Sequence, residues 1–97
     1  MFAVDVSFWS SDSFEWLNVE TGWFRTVNPL PVVDRTLECV QIYGTMMMIV
    51  PEELPEELHS NPEAAQAWTA HTMTDVSEFI EVESIEKLRW HVEEMPY

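Results

Sequence analysis

Carboxylates are the reactive groups this chain holds in excess. The stretch "PEELPEELH", residues 51–59, sets Glu52, Glu53, Glu56 and Glu57 close together with no lysine or arginine among them. Crowded carboxylates suit three kinds of chemistry. They can share general acid and base work, hold a hard cation, or present a field like that of nucleic-acid phosphates. The first needs a shielded pocket that raises one pKa, and a chain of 97 residues leaves little room for one. The second lacks the Asp/Asn-rich, Gly-containing pattern of a calcium loop. The third needs only a fairly stiff surface, which the prolines at 51 and 55 favour. A solvated loop that keeps the protein dispersed is the plain alternative.

Other chemistries have weaker support. His59, His71, His91 and Cys39 show no zinc-ligand spacing. Gly22 and Gly44 are the two glycines of the chain, so no Gly-rich phosphate loop exists, and no Gly-x-Ser-x-Gly elbow occurs. Cys39 stands in "LECVQ", where a small buried residue is the default. The sequence therefore predicts no enzyme activity, no metal and no cofactor.

The charge balance narrows the partners. Eighteen acids face four bases, for a formal charge of −14. DNA and RNA are poor direct ligands for such a chain, because binding them requires Lys and Arg to displace counterions. Anionic membrane surfaces are disfavoured by the same sign. A basic protein surface is the natural counterpart. The charge is uneven: residues 1–50 carry −4 and residues 51–97 carry −10. Self-repulsion of that size opposes folding, so something besides folding is expected to maintain it.

The elements that must position these groups follow from the pattern. The first half reads as strands. Phe2, Val4, Val6 and Phe8 alternate with Ala3, Asp5, Ser7 and Trp9, as a half-buried strand does. "FEWLNV" (14–19) and "GWFRTV" (22–27) suggest a hairpin closed by "ETG", and "NPLP" breaks the run. "TLECVQIY" (36–43) resumes it, and "TMMMIV" (45–50) is apolar on both faces, so a central strand covered on both sides, or one packed beneath a helix, is expected. Trp9, Phe14, Trp16, Trp23 and Phe24 are expected mostly in the core, with one or two left as exposed anchors. After Val50, Pro55 allows at most one helical turn before it. "SNPEAAQAW" starts a helix from 62 to about 73, with Asn61 as N-cap and Glu63 in the first turn. Its Ala64, Ala65, Trp68 and Thr72 share a face. "VSEFIEV" (76–82) is a strand candidate. The fold class is α+β: an antiparallel sheet of four to six strands, mostly from the N-terminal half, with two helices in the C-terminal half. One domain over 1–97 is expected, strand-rich to 50 and acidic and helix-bearing beyond.

The last helix, "ESIEKLRWHVEEM", carries the most specific signal. With Ser84 as N-cap, Ile85, Leu88, Val92 and Met95 fall on one face. Glu86, Trp90, Glu93 and Glu94 fall on the other. A Trp ringed by carboxylates suits a hot spot that engages Arg or Lys on a partner; burial of Trp90 under a wider sheet is the alternative.

Small, strongly acidic, one-domain chains of this kind resemble the phage-encoded anti-restriction and anti-CRISPR proteins. The resemblance is one of size and charge. It assigns no residues, because those families share no common fold. It implies a non-enzymatic inhibitor, a DNA mimic in some cases, that binds a basic surface of a nucleic-acid-handling protein and blocks its DNA or RNA site. The candidate contacts are Glu52, Glu53, Glu56, Glu57, Glu63, Glu86, Trp90, Glu93 and Glu94. An immunity protein or antitoxin neutralising a basic nuclease presents similar surface chemistry, and an adaptor subunit of a larger assembly is a third possibility. The longest apolar run is far below the roughly 18 residues of a membrane span, and "MFAVDVSFW" lacks the basic start of a signal peptide. A soluble, cytoplasmic protein is expected, acting in the host cytoplasm if phage-encoded.

Overall fold

A computed structural model describes residues 1–30, 35–50 and 56–94 of the chain, apart from the side chain of Glu57. Within them, strands β1 (Phe2–Asp5), β2 (Phe14–Asn18), β3 (Trp23–Thr26), β4 (Glu38–Ile42), β5 (Thr45–Val50) and β6 (Ile80–Glu81) form one antiparallel sheet. The spatial order is β2-β3-β4-β5-β1-β6. The helices are α1 (Glu56–Ser60), α2 (Pro62–Thr72) and α3 (Ile85–Glu93). The fold is α+β, with its sheet drawn mostly from the N-terminal half and its helices from the C-terminal half.

Turn chemistry sets the register. Tyr43 and Gly44 join β4 to β5 with φ of 50° and 82°, the positive values that a two-residue type I′ hairpin requires. Gly22, also at φ 82°, lies so close to β4 that a Cβ would come within 2.8 Å of the Gln41 carbonyl oxygen. Glycine is the residue that fits there, and Gln41 N–H donates to its carbonyl at 2.8 Å.

Consecutive strand residues point to opposite faces, and both faces are covered. On one, Val4, Phe24, Cys39, Met48 and Val50 pack with Leu58 of α1 and Trp68 of α2. On the other, Ala3, Val40, Met47 and Ile49 pack with Leu88 and Val92 of α3. The sheet is thus the middle of three layers. β5, expected to be central, lies between β4 and β1 and is buried along nearly its whole length.

Two expectations need correction. The alternation from Phe2 to Trp9 predicts a half-buried strand over that stretch. β1 instead stops at Asp5, whose Oδ1 accepts the Ser7 N–H and turns the chain. Both Ala3 and Val4 are buried, because α3 covers the face that alternation assigned to solvent. The strand expected over 76–82 shrinks to β6. Asp75 caps a 3-10 turn, Val76–Glu78, by accepting the Ser77 N–H, and this bend delays pairing until Ile80. The helix starts behave as expected: Asn61 accepts from the N–H groups of Glu63 and Ala64, and Ser84 from that of Lys87.

Cys39 is fully buried. Burial foremost, and the nearby Glu38 charge after it, push its thiol up to about 12. The neutral thiol is the form the fold favours. Its contribution to stability is complete below the unfolded thiol's pKa, about 8.5, and is lost as pH rises from there towards 12. The native protein should therefore resist thiol-specific labelling at pH 8 and react promptly in denaturant. Rapid labelling of the native state would show that the strand opens readily.

Candidate partner-binding surface

The described acidic candidates divide between the two outer layers. Glu52 and Glu53 lie outside the described residues, as does the side chain of Glu57, although its backbone belongs to α1. Glu56 on α1 and Glu63 in the first turn of α2 are exposed. Glu86 and Glu93 on α3, and Glu94 at its C-cap, are exposed too. Because α1 and α2 cover one face of the sheet and α3 the other, the structure does not gather these carboxylates into one patch.

The α3 group is the better defined. Leu88 and Val92 turn inward, Ile85 is half-buried, and Met95 lies outside the described residues. Trp90 is 50 % exposed, on the side away from the sheet. Glu86 sits in the first turn, where the helix dipole favours an anion. Glu93 and Glu94 sit at the opposite end, where the dipole disfavours one by about 0.3–1 kcal/mol each. Helix energetics alone would not choose those two residues. None of Glu56, Glu63, Glu86, Glu93 or Glu94 is in an ion pair with another described residue; the Arg25–Glu15 pair lies far off in the strands.

Lys87 was missed by the reading of charge alone. Its ammonium lies 4.4 Å from the centroid of the Trp90 ring, a cation–π contact worth about 0.5–1 kcal/mol at an exposed site. The three-residue spacing on a helix was the available signal. The contact places one of the protein's own cations against the indole face.

Other large apolar side chains reach solvent. On β2 and its turn, Trp16 is 45 %, Leu17 49 % and Val19 73 % exposed, so Trp16 is one of the exposed aromatics the sequence allowed for. Elsewhere a cleft of about 340 Å³ opens between Phe8, Trp9, Pro29, Leu30, His71 and Met73. Met73 ends α2 in the left-handed conformation, φ 61°, and is largely exposed. Among the described residues, no three His, Cys, Asp or Glu side chains converge as a metal site would require. No described helix is long and apolar enough to cross a membrane.

No family model, no curated protein and no solved structure matches the chain.

Proposed function

We propose that the protein is a non-enzymatic inhibitor that binds a basic surface of a nucleic-acid-handling protein. It occupies the place where DNA or RNA would lie, as phage-type anti-CRISPR and anti-restriction proteins do. The observation that carries this reading is Trp90, half-exposed on the outer side of α3 with a cation against its ring, on a helix whose Glu86, Glu93 and Glu94 form no ion pair with another described residue. A large aromatic surrounded by charge is an anchor that arginine and lysine recognise. Size is compatible. The long axis of 37 Å spans about one turn of duplex DNA, roughly 34–36 Å, and acids on both outer layers offer negative charge to both walls of an enclosing groove.

Competition tests the proposal. A basic nucleic-acid-binding protein captured from bacterial lysate is titrated with duplex DNA or RNA in the presence of this chain. Mutually exclusive binding is expected. A stable ternary complex would place the contact away from the nucleic-acid site and defeat the reading.

Trp90→Ala tests the anchor. Affinity should fall by about 2 kcal/mol or more. Stability should change by at most about 1 kcal/mol, the Lys87 contact included. Calorimetric titration and thermal melting separate the two. A lowered melting temperature with unchanged binding would make Trp90 a packing residue.

A further inference from the structure

We infer that the outer edge of β2 is a docking edge for an extended, basic segment of a partner protein. The two ends of the sheet differ. β6 is an edge of two residues, and shortness is a recognised protection of edges. β2 is an edge of five, "FEWLN", without Lys or Pro. Its protective features are the charge of Glu15 and the register shift between Trp16 and Asn18, at the turn end.

The hydrogen-bonding pattern shows which groups face outward. Val27 N–H donates to the Ser13 carbonyl, so Ser13 and Val27 form a bonded pair, and so do Glu15 and Arg25 two residues on. The alternate residues, Phe14 and Trp16, then turn their backbone groups away from β3. Phe14 N–H is used by the Ser11 carbonyl. The Phe14 carbonyl and both backbone groups of Trp16 remain at the open edge, where no described strand pairs with them. Around them Trp16 and Leu17 are about half-exposed, and Val19 nearly three-quarters. Unused ladder positions beside exposed apolar side chains are what an added strand takes up.

Charge selects the occupant. Glu15, Arg25 and Glu38 stand side by side across β2, β3 and β4, in the order minus, plus, minus. A Lys or Arg on the added strand opposite Glu15 continues that alternation, and apolar neighbours pair with Phe14 and Trp16 on the other face. A second copy of this chain would bring a β2 with no base in it, and another −14 of charge. The occupant is therefore a partner segment that alternates basic with apolar residues. The identification of its charge rests on the basic-partner reading above; the open edge does not.

The test selects random ten-residue peptides from a displayed library against the full-length chain, then synthesises the winners with and without N-methylation of alternate amides. Expected winners alternate Lys or Arg with apolar residues and slow hydrogen exchange of the Trp16 amide. N-methylation on the pairing edge should weaken them by about tenfold or more, since ladder bonds supply the affinity. Glu15→Lys, with folding checked by circular dichroism, should weaken them comparably. Basic winners that are indifferent to methylation and leave Trp16 unprotected would bind the helix carboxylates instead. That result overturns the docking edge and spares the basic-partner reading. Winners that protect Trp16 without excess Lys or Arg overturn the proposed occupant. A concentration-dependent dimer abolished by Leu17→Asp would make the occupant a second copy and overturn the proposal, as would the absence of any winner.

Discussion

Trp68→Ala should cost this protein about 3–5 kcal/mol, the usual range for emptying a large aromatic site in a core. Trp68 is fully buried, in the cluster that joins α1 and α2 to Val4, Met48 and Val50, and its ring lies 5.9 Å from that of Phe79. A domain of this length loses roughly 4–8 °C of melting temperature per kcal/mol. Total stabilities run only about 5–15 kcal/mol, so the variant should be largely unfolded at 37 °C if the wild type lies at the low end. Trp68→Phe should behave differently. The buried indole N–H has no hydrogen-bond partner among the described residues, and an unsatisfied buried donor costs about 1–3 kcal/mol. Removing it offsets much of the cavity left by the smaller ring, so the net change should stay within about 1.5 kcal/mol. Denaturant unfolding of the two variants checks both figures. A loss from Phe as large as that from Ala would show that shape, and not the orphaned donor, dominates the site.

Partner association should slow by about 10- to 1,000-fold between low and high salt, the range that electrostatic steering spans. The screening length shrinks from about 30 Å at 0.01 M to about 3 Å at 1 M, so the −14 charge is felt at a distance only in dilute salt. Separation of the acids onto two faces makes the prediction sharper. Gln at Glu86, Glu93 and Glu94 is expected to slow association and also speed dissociation, because that face is proposed to touch the partner. Gln at Glu56 and Glu63, beyond the sheet, should also speed dissociation, since the enclosing groove is proposed to have a wall on that side too; an effect on association alone would confine the contact to the α3 layer. Neutralising Glu93 and Glu94 removes two anions from the C-terminal end of α3, so stability should rise, by about 0.3–1 kcal/mol for each. Binding and melting temperature then move in opposite directions. Stopped-flow kinetics across a salt series reads the rates; a salt-independent association rate would remove steering from the account.

Much of this architecture was legible in local patterns, for reasons particular to certain residues. Asn61-Pro62 and Ser84 mark helix starts because their side chains and rings satisfy or dispense with orphaned N–H groups, whatever packs nearby. Trp90 could be set on the helix face opposite Leu88 and Val92 because that stripe is regular, but only the tertiary structure decided that the sheet does not wrap round to bury it. Gly44 offered a turn or a bulge, and the structure makes it a turn; "TMMMIV" could be assigned to the sheet centre because both faces of that strand are apolar. The pattern was less reliable where burial depends on distant parts of the chain. Ala3 was assigned to solvent, yet α3, more than eighty residues later, lies across it.

Composition and local spacing were enough to expect an acidic α+β chain with a capped last helix, since charge count, caps and helical periodicity are properties of neighbouring residues. Tertiary structure was needed to divide the acids. α1 and α2 dock on one face of the sheet and α3 on the other, so carboxylates that read as one charged half lie in separate outer layers. It also left β2 at the rim, because β4 pairs with β3 and β5 while β1 is taken between β5 and β6. Strand order is set by pairings among segments far apart in the chain, and no window of sequence contains that information.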